Sequence, residues 1–119
     1  MNTPRNQVEL AKNKQHFNSY TLQKKKYSIA REVYIIVKPL KSWYSGVTKD
    51  NLKEKILENF RKKGYRKKSI TDVSIYTSIK DLNLYRNDIY IVSSKGMNAE
   101  TGKYEFRYFC PFEPADISN

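Results

Sequence analysis

With 119 residues the chain has room for one small domain, and Leu, Ile, Val and Phe supply 28 of them, enough for a modest core and too many for a disordered polyelectrolyte. Lys and Arg outnumber Asp and Glu by 23 to 12, a net charge of +11 that points to polyanionic or acidic partners. No stretch approaches the ~20 apolar residues of a membrane span; there is no apolar leader, and one cysteine with one histidine cannot build an internal disulfide or a structural zinc site. The expectation is an intracellular protein (cytoplasmic or nucleoid/nuclear, not secreted) without cofactor or metal.

Residues 1–28 read as a basic arm. They are polar and lysine-rich and include Lys24, Lys25 and Lys26. Thr3 followed by Pro4 predicts a short helix through about Lys14, since serine-like caps and a proline at the first helical position favour a start there. Residues 29–113 read as an α+β domain. Within it, Glu32 to Val37 is β-branched and aromatic and ends at Pro39, which predicts a strand. A loop through Trp43, Tyr44 and Gly46 follows. The clearest helix comes next: Thr48 or Asp50 caps it, Leu52, Ile56, Leu57 and Phe60 recur at helical spacing, and Gly64 closes it. Ile70 to Ile79, Asp88 to Ser93 and Lys103 to Cys110 alternate in character and predict three more strands. Residues 114–119 form an acidic tail. The predicted order is therefore β-α-β-β-β: one helix packed on a mostly antiparallel four-stranded sheet, preceded by the arm.

Charge is not spread evenly along this order. Residues 1–68 hold 18 Lys and Arg against 5 acids, residues 69–87 balance, and residues 88–119 are net −2. Lys outnumbers Arg 17 to 6, a bias that an A/T-rich genome produces unaided, so the position of the lysines carries more than their number. Three clusters stand out: Lys24–Lys26, Lys38 with Lys41, and Arg61, Lys62, Lys63, Arg66, Lys67 and Lys68, six cations in eight residues around Gly64 and Tyr65.

Alternation along the predicted strands places an aliphatic set against the helix and an aromatic set on the other face: Tyr34, Tyr76 and Tyr90, joined by Tyr104, Phe106 and Tyr108. Aromatic rings stack on unpaired bases, and lysines at their rim neutralise phosphates. Phosphate contacts are thus expected from Lys24, Lys25, Lys26, Lys41, Arg61, Lys62, Lys63, Arg66, Lys67 and Lys68, and stacking from Tyr34, Tyr76, Tyr90, Tyr65 and Trp43. The four glycines write no phosphate-cradling loop, and no paired carboxylates or positioned histidine suggest catalysis.

The leading reading is a non-enzymatic nucleic-acid-binding protein, with RNA or single-stranded DNA favoured. One alternative is a protein-binding inhibitor, adaptor or assembly factor, for example a phage or viral accessory protein, that docks on an acidic surface. A second is a small basic ribonuclease of the RelE-toxin kind, with Lys95, Arg107 and Tyr108 handling phosphate and proton. The tyrosine-rich face could equally serve a homodimer.

Overall fold

A computed structural model of the chain describes residues 27–111. Along them run helix α1 (Ile29–Val37), helix α2 (Lys49–Lys62), helix α3 (Asp72–Tyr85), strand β1 (Val92–Met97) and strand β2 (Tyr104–Phe109). The class is α+β, but the predicted architecture of one helix on a four-stranded sheet is overturned. Two expected strands are helices, and the sheet among the described residues is the antiparallel pair β1–β2. The predicted helix ending near Lys14, the lysines 24–26 and the 114–119 tail lie outside the described residues.

The stretch from Glu32 to Val37 corrects the first strand. The Ser28 hydroxyl accepts the Arg31 N–H at 3.1 Å and starts a helix. Val33 and Val37 are fully buried while Ile35, which a strand would place beside them, is 49% exposed. Apolar residues 29, 33, 36, 37 and 40 repeat at helical period, and a short β-branched run carries both periods at once. The same ambiguity holds for Ile70 to Ile79, the second predicted strand that is a helix. Thr71 accepts the Ser74 N–H at 3.1 Å, Ile75, Ser78 and Leu82 are buried on one side of α3, and Val73 is 70% exposed. Packing decided between the periods, as it does for weakly patterned segments.

α2 forms as its sequence predicts. Thr48 accepts the Asn51 N–H at 3.2 Å, and Leu52, Ile56 and Phe60 are fully buried. Asp50 lies in the first turn and Arg61 and Lys62 in the last, each on the end of the helix dipole that suits its charge. Gly64 takes the left-handed region at φ +90°. Its N–H donates to the Arg61 carbonyl and the Tyr65 N–H to the Phe60 carbonyl, both at 2.9 Å, and the Tyr65 ring packs on that of Phe60. This is a Schellman closure with its usual apolar contact.

Residues 88–91 of the third predicted strand are not in a ladder; β1 begins only at Val92. The Asn83 side chain supplies the partner instead, donating to the Ile91 carbonyl at 2.8 Å and accepting the Ile91 N–H at 2.7 Å. β1 and β2 pair from Val92 with Phe109 to Met97 with Tyr104. Val47 adds a single bridge on the far edge of β2, exchanging both backbone bonds with Tyr108.

α1 packs against α2 and α3, and β2 leans on α2. The core comprises Val33 and Val37, Leu52, Ile56 and Phe60, Ile75 and Leu82, and Ile89, Ile91 and Cys110 from the C-terminal part. Each such side chain contributes roughly 1.5–3 kcal/mol on burial. No helix among the described residues is long and apolar enough to cross a membrane.

Candidate nucleic-acid interface

The Schellman closure at Gly64 turns the chain back across the end of α2, so cations before and after the turn converge. Arg61, Gly64, Arg66, Lys67 and Lys68 line an open concavity of about 600 Å³. No carboxylate lines it, and none of its four cations, nor Lys62, belongs to an ion pair among the described residues. Carbonyl groups at the helix C-terminus add to the demand for these cations.

Lys63, which sequence groups with them, points elsewhere. Its ammonium donates to Oε2 of Glu32 at 2.9 Å, and Asn59 donates to Oε1 at 2.8 Å. Glu32 is 2% exposed. Lys63 thus balances a buried carboxylate on α1, which its neighbours in the run do not. Tyr65 lies between Phe60 and Tyr27, with ring centroids 5.3 and 4.6 Å away, and the Tyr27 hydroxyl donates to the Lys63 carbonyl at 3.0 Å.

Tyr34, Tyr76 and Tyr90 do not share a sheet face. Tyr34 sits on α1, where its hydroxyl donates to Asp88 at 2.6 Å and its ring lies under Lys38 and Arg86. Arg86 holds both oxygens of Asp88 at 2.7 Å. Burial alone would raise the Asp88 pKa, but the Arg86 and Tyr34 hydrogen bonds keep its carboxyl far below the usual carboxylate range. Tyr76 is half exposed on α3, and Tyr90 is exposed in the connection before β1.

Trp43 is a strut of the hairpin. Its Nε1 donates to the Ser94 carbonyl at 2.9 Å, its ring covers Gly96, and the Arg107 guanidinium stands 4.1 Å from the ring centroid. Lys41 is exposed in the loop leading to it. Arg107 also pairs with Glu105 at 2.7 Å. By register, Arg107 lies on the hairpin face opposite Lys95 and Tyr108, so the three residues that a ribonuclease would need together are not gathered on one face.

The face carrying Lys95 and Tyr108 is the aromatic surface that does exist. Tyr104 and Phe106 are 63% and 61% exposed on it, with Met97 opposite Tyr104 and Lys95 opposite Phe106. The Lys95 ammonium stands 5.5 Å from the Tyr104 ring centroid. Alternation along residues 104–108 signals this face in the sequence, although the residues expected to stack are other aromatics. Beside it, a groove of about 930 Å³ runs between β2, the start of α2 and Tyr76 of α3. Lys49 donates to Asp72 at 2.8 Å and to the Tyr76 hydroxyl at 3.2 Å, and Lys53 also holds Asp72. These bonds raise the Lys49 pKa and lower that of Asp72, so two ammonium groups share one carboxylate. Burial raises the Tyr108 pKa, which keeps its phenol neutral in the groove.

Among the described residues no group of three or more His, Cys, Asp or Glu could hold a metal ion. Compared with protein-family models, curated proteins and solved structures, the chain matches none.

Proposed function

We propose that this is a non-enzymatic nucleic-acid-binding protein that grips the phosphate backbone at the C-terminal end of α2. The carrying observation is the concavity in which Arg61, Arg66, Lys67 and Lys68 converge without a carboxylate among them. Cations held together with no ion pair among the described residues repel one another, and a polyanion relieves that repulsion while releasing its own counterions. Lys predominates in the cluster, and an ammonium is a point charge rather than a bidentate fork, which suits backbone tracking over base reading. A reducing, intracellular setting accords with a single cysteine whose side chain is buried.

The test is oligonucleotide binding measured against salt. Engagement of four cations by a single strand gives a slope of log K on log salt near −3, at about −0.7 per phosphate. The triple variant Arg66→Glu, Lys67→Glu, Lys68→Glu should abolish binding at physiological salt with only a small change in thermal unfolding, because surface substitutions each shift stability by about 0.5 kcal/mol or less. A wild-type protein whose binding ignores salt would remove the proposal.

A further inference from the structure

We infer that the exposed face of the β1–β2 hairpin is a second nucleic-acid contact, one that holds unpaired bases against Tyr104 and Phe106; this rests on the nucleic-acid reading above and extends it to the kind of strand bound.

Tyr104 and Phe106 lie two positions apart on one strand, so their rings project from the same side about 7 Å apart. The ladder with β1 fixes that spacing. Neither ring is used in the core: both are more than half exposed, as is much of neighbouring Met97. Three large apolar side chains together in water on a hairpin of two six-residue strands form a surface that a partner completes. What distinguishes this patch from a plain apolar one is its cations. Lys95 sits 5.5 Å from the Tyr104 ring centroid, and across the groove Lys49 sits 5.5 Å from that of Tyr76. Phe106 and Tyr76 both line the groove, so a flat ring entering it meets aromatic carbon on the hairpin side and on the α3 side; Lys49 at its rim is held by Asp72, and Asp50 and Glu105 also line it, so a phosphate would lie outside, toward Lys95.

Flat rings beside ammonium groups match a nucleotide whose base is unstacked and whose phosphate lies outside. In a duplex the base faces are already stacked and unavailable, so this surface selects single strands. α2 connects the two contacts: its first residue, Lys49, borders the groove, and its last turn carries the basic concavity about 20 Å further along the axis. At about 3.4 Å per phosphate, a strand touching both spans some six phosphates or fewer if extended. The competing occupant is a protein strand, since the N–H and C=O groups of Tyr104 and Phe106 point to the edge on which Tyr108 pairs with Val47, and the chain has left that edge for α2. The Lys95 ammonium beside Tyr104 and the net charge of +11 favour the polyanion.

The experiment compares wild-type protein, the double variant Tyr104→Ala with Phe106→Ala, and the double variant Lys67→Glu with Lys68→Glu. Each is titrated with labelled oligouridylate and oligothymidylate of about a dozen nucleotides, and with a duplex carrying the same number of phosphates. The ring variant should lose about tenfold or more in affinity for single strands and little for the duplex, with unchanged circular dichroism and melting temperature. The lysine variant should weaken on every ligand. Phe106→Trp should retain single-strand binding and show fluorescence quenched on adding oligonucleotide. A ring variant with full single-strand affinity, beside a lysine variant that is defective, overturns this inference and leaves the phosphate-binding reading intact. A wild-type protein that binds no oligonucleotide overturns both. Dimerisation lost in the ring variant, with oligonucleotide affinity unchanged, gives the face to a second copy and likewise overturns the inference.

Discussion

Lys63, the cap at the C-terminal end of α2, reaches back to Glu32 of α1, its ammonium 2.9 Å from a carboxylate that is 2% exposed. One cation of the basic run therefore ties the helices together, and its neighbours Lys62, Lys67 and Lys68 form no ion pair among the described residues. Removing it takes from a buried carboxylate the cation that balances it, while the 2.8 Å bond from Asn59 remains. Lys63→Ala should cost about 3 kcal/mol in urea unfolding, yet leave the salt slope of oligonucleotide binding near the wild-type value. Lys67→Ala should do the reverse. Equal stability of the two variants would contradict this division of labour.

Asp88 gathers Tyr34, Lys38 and Arg86 and ties α1 to the segment after α3. Its carboxyl is held well below the ordinary value of about 3.9. A group with a depressed folded pKa lends stability that is complete above its unfolded pKa and is lost as pH falls through the folded one. Asp88→Asn should therefore lower the melting temperature at pH 7, by an amount equivalent to about 2 kcal/mol. The gap between variant and wild type should narrow as pH drops below about 4, because wild type then loses what the variant already lacks. Thermal melts at pH 7, 4 and 2.5 read this directly; a gap that widens on acidification contradicts the sign.

Gly96 leaves room for an indole. A Cβ there would stand 2.5 Å from Cε2 of Trp43 and under 3 Å from two further ring atoms. Gly96→Ala should push the ring off the hairpin, break its bond to Ser94 and cost about 1–3 kcal/mol. Trp43 is the chain's one tryptophan, so a red-shifted emission maximum in the folded variant reports the displacement.

At Gly64 the constraint is backbone rather than space. A methyl group added there would meet no atom within 4 Å, but φ is +90°. Gly64→Ala should cost about 1 kcal/mol, and Gly64→Asn less, since asparagine visits the left-handed region more readily. Unfolding midpoints of the two variants check the order; alanine as the better tolerated residue would contradict it.

Residues 48–64 are legible in the amino-acid order because every local signal there agrees: a threonine cap, apolar residues at one period, basic residues in the last turn and a glycine to close. The hairpin strand 104–109 is legible for the same reason, with strict alternation and turn residues ahead of it. The clustering of Arg61, Arg66, Lys67 and Lys68 also follows from sequence, since eight consecutive residues around a helix end cannot be far apart. Segments 29–37 and 72–85 are not legible. Residues 32–37 and 70–79 satisfy both a period of two and a period near 3.6, and the Ser28 and Thr71 caps together with burial of Val33, Val37, Ile75 and Leu82 in one core select the helix. With those strands gone, the tyrosine face drawn across them has no surface to occupy. Long-range pairing also decided which cations stay available. Local charge density marks Lys63 and Lys67 alike, and a carboxylate 31 residues before Lys63 in the chain claims it, while Lys67 has no ion pair among the described residues.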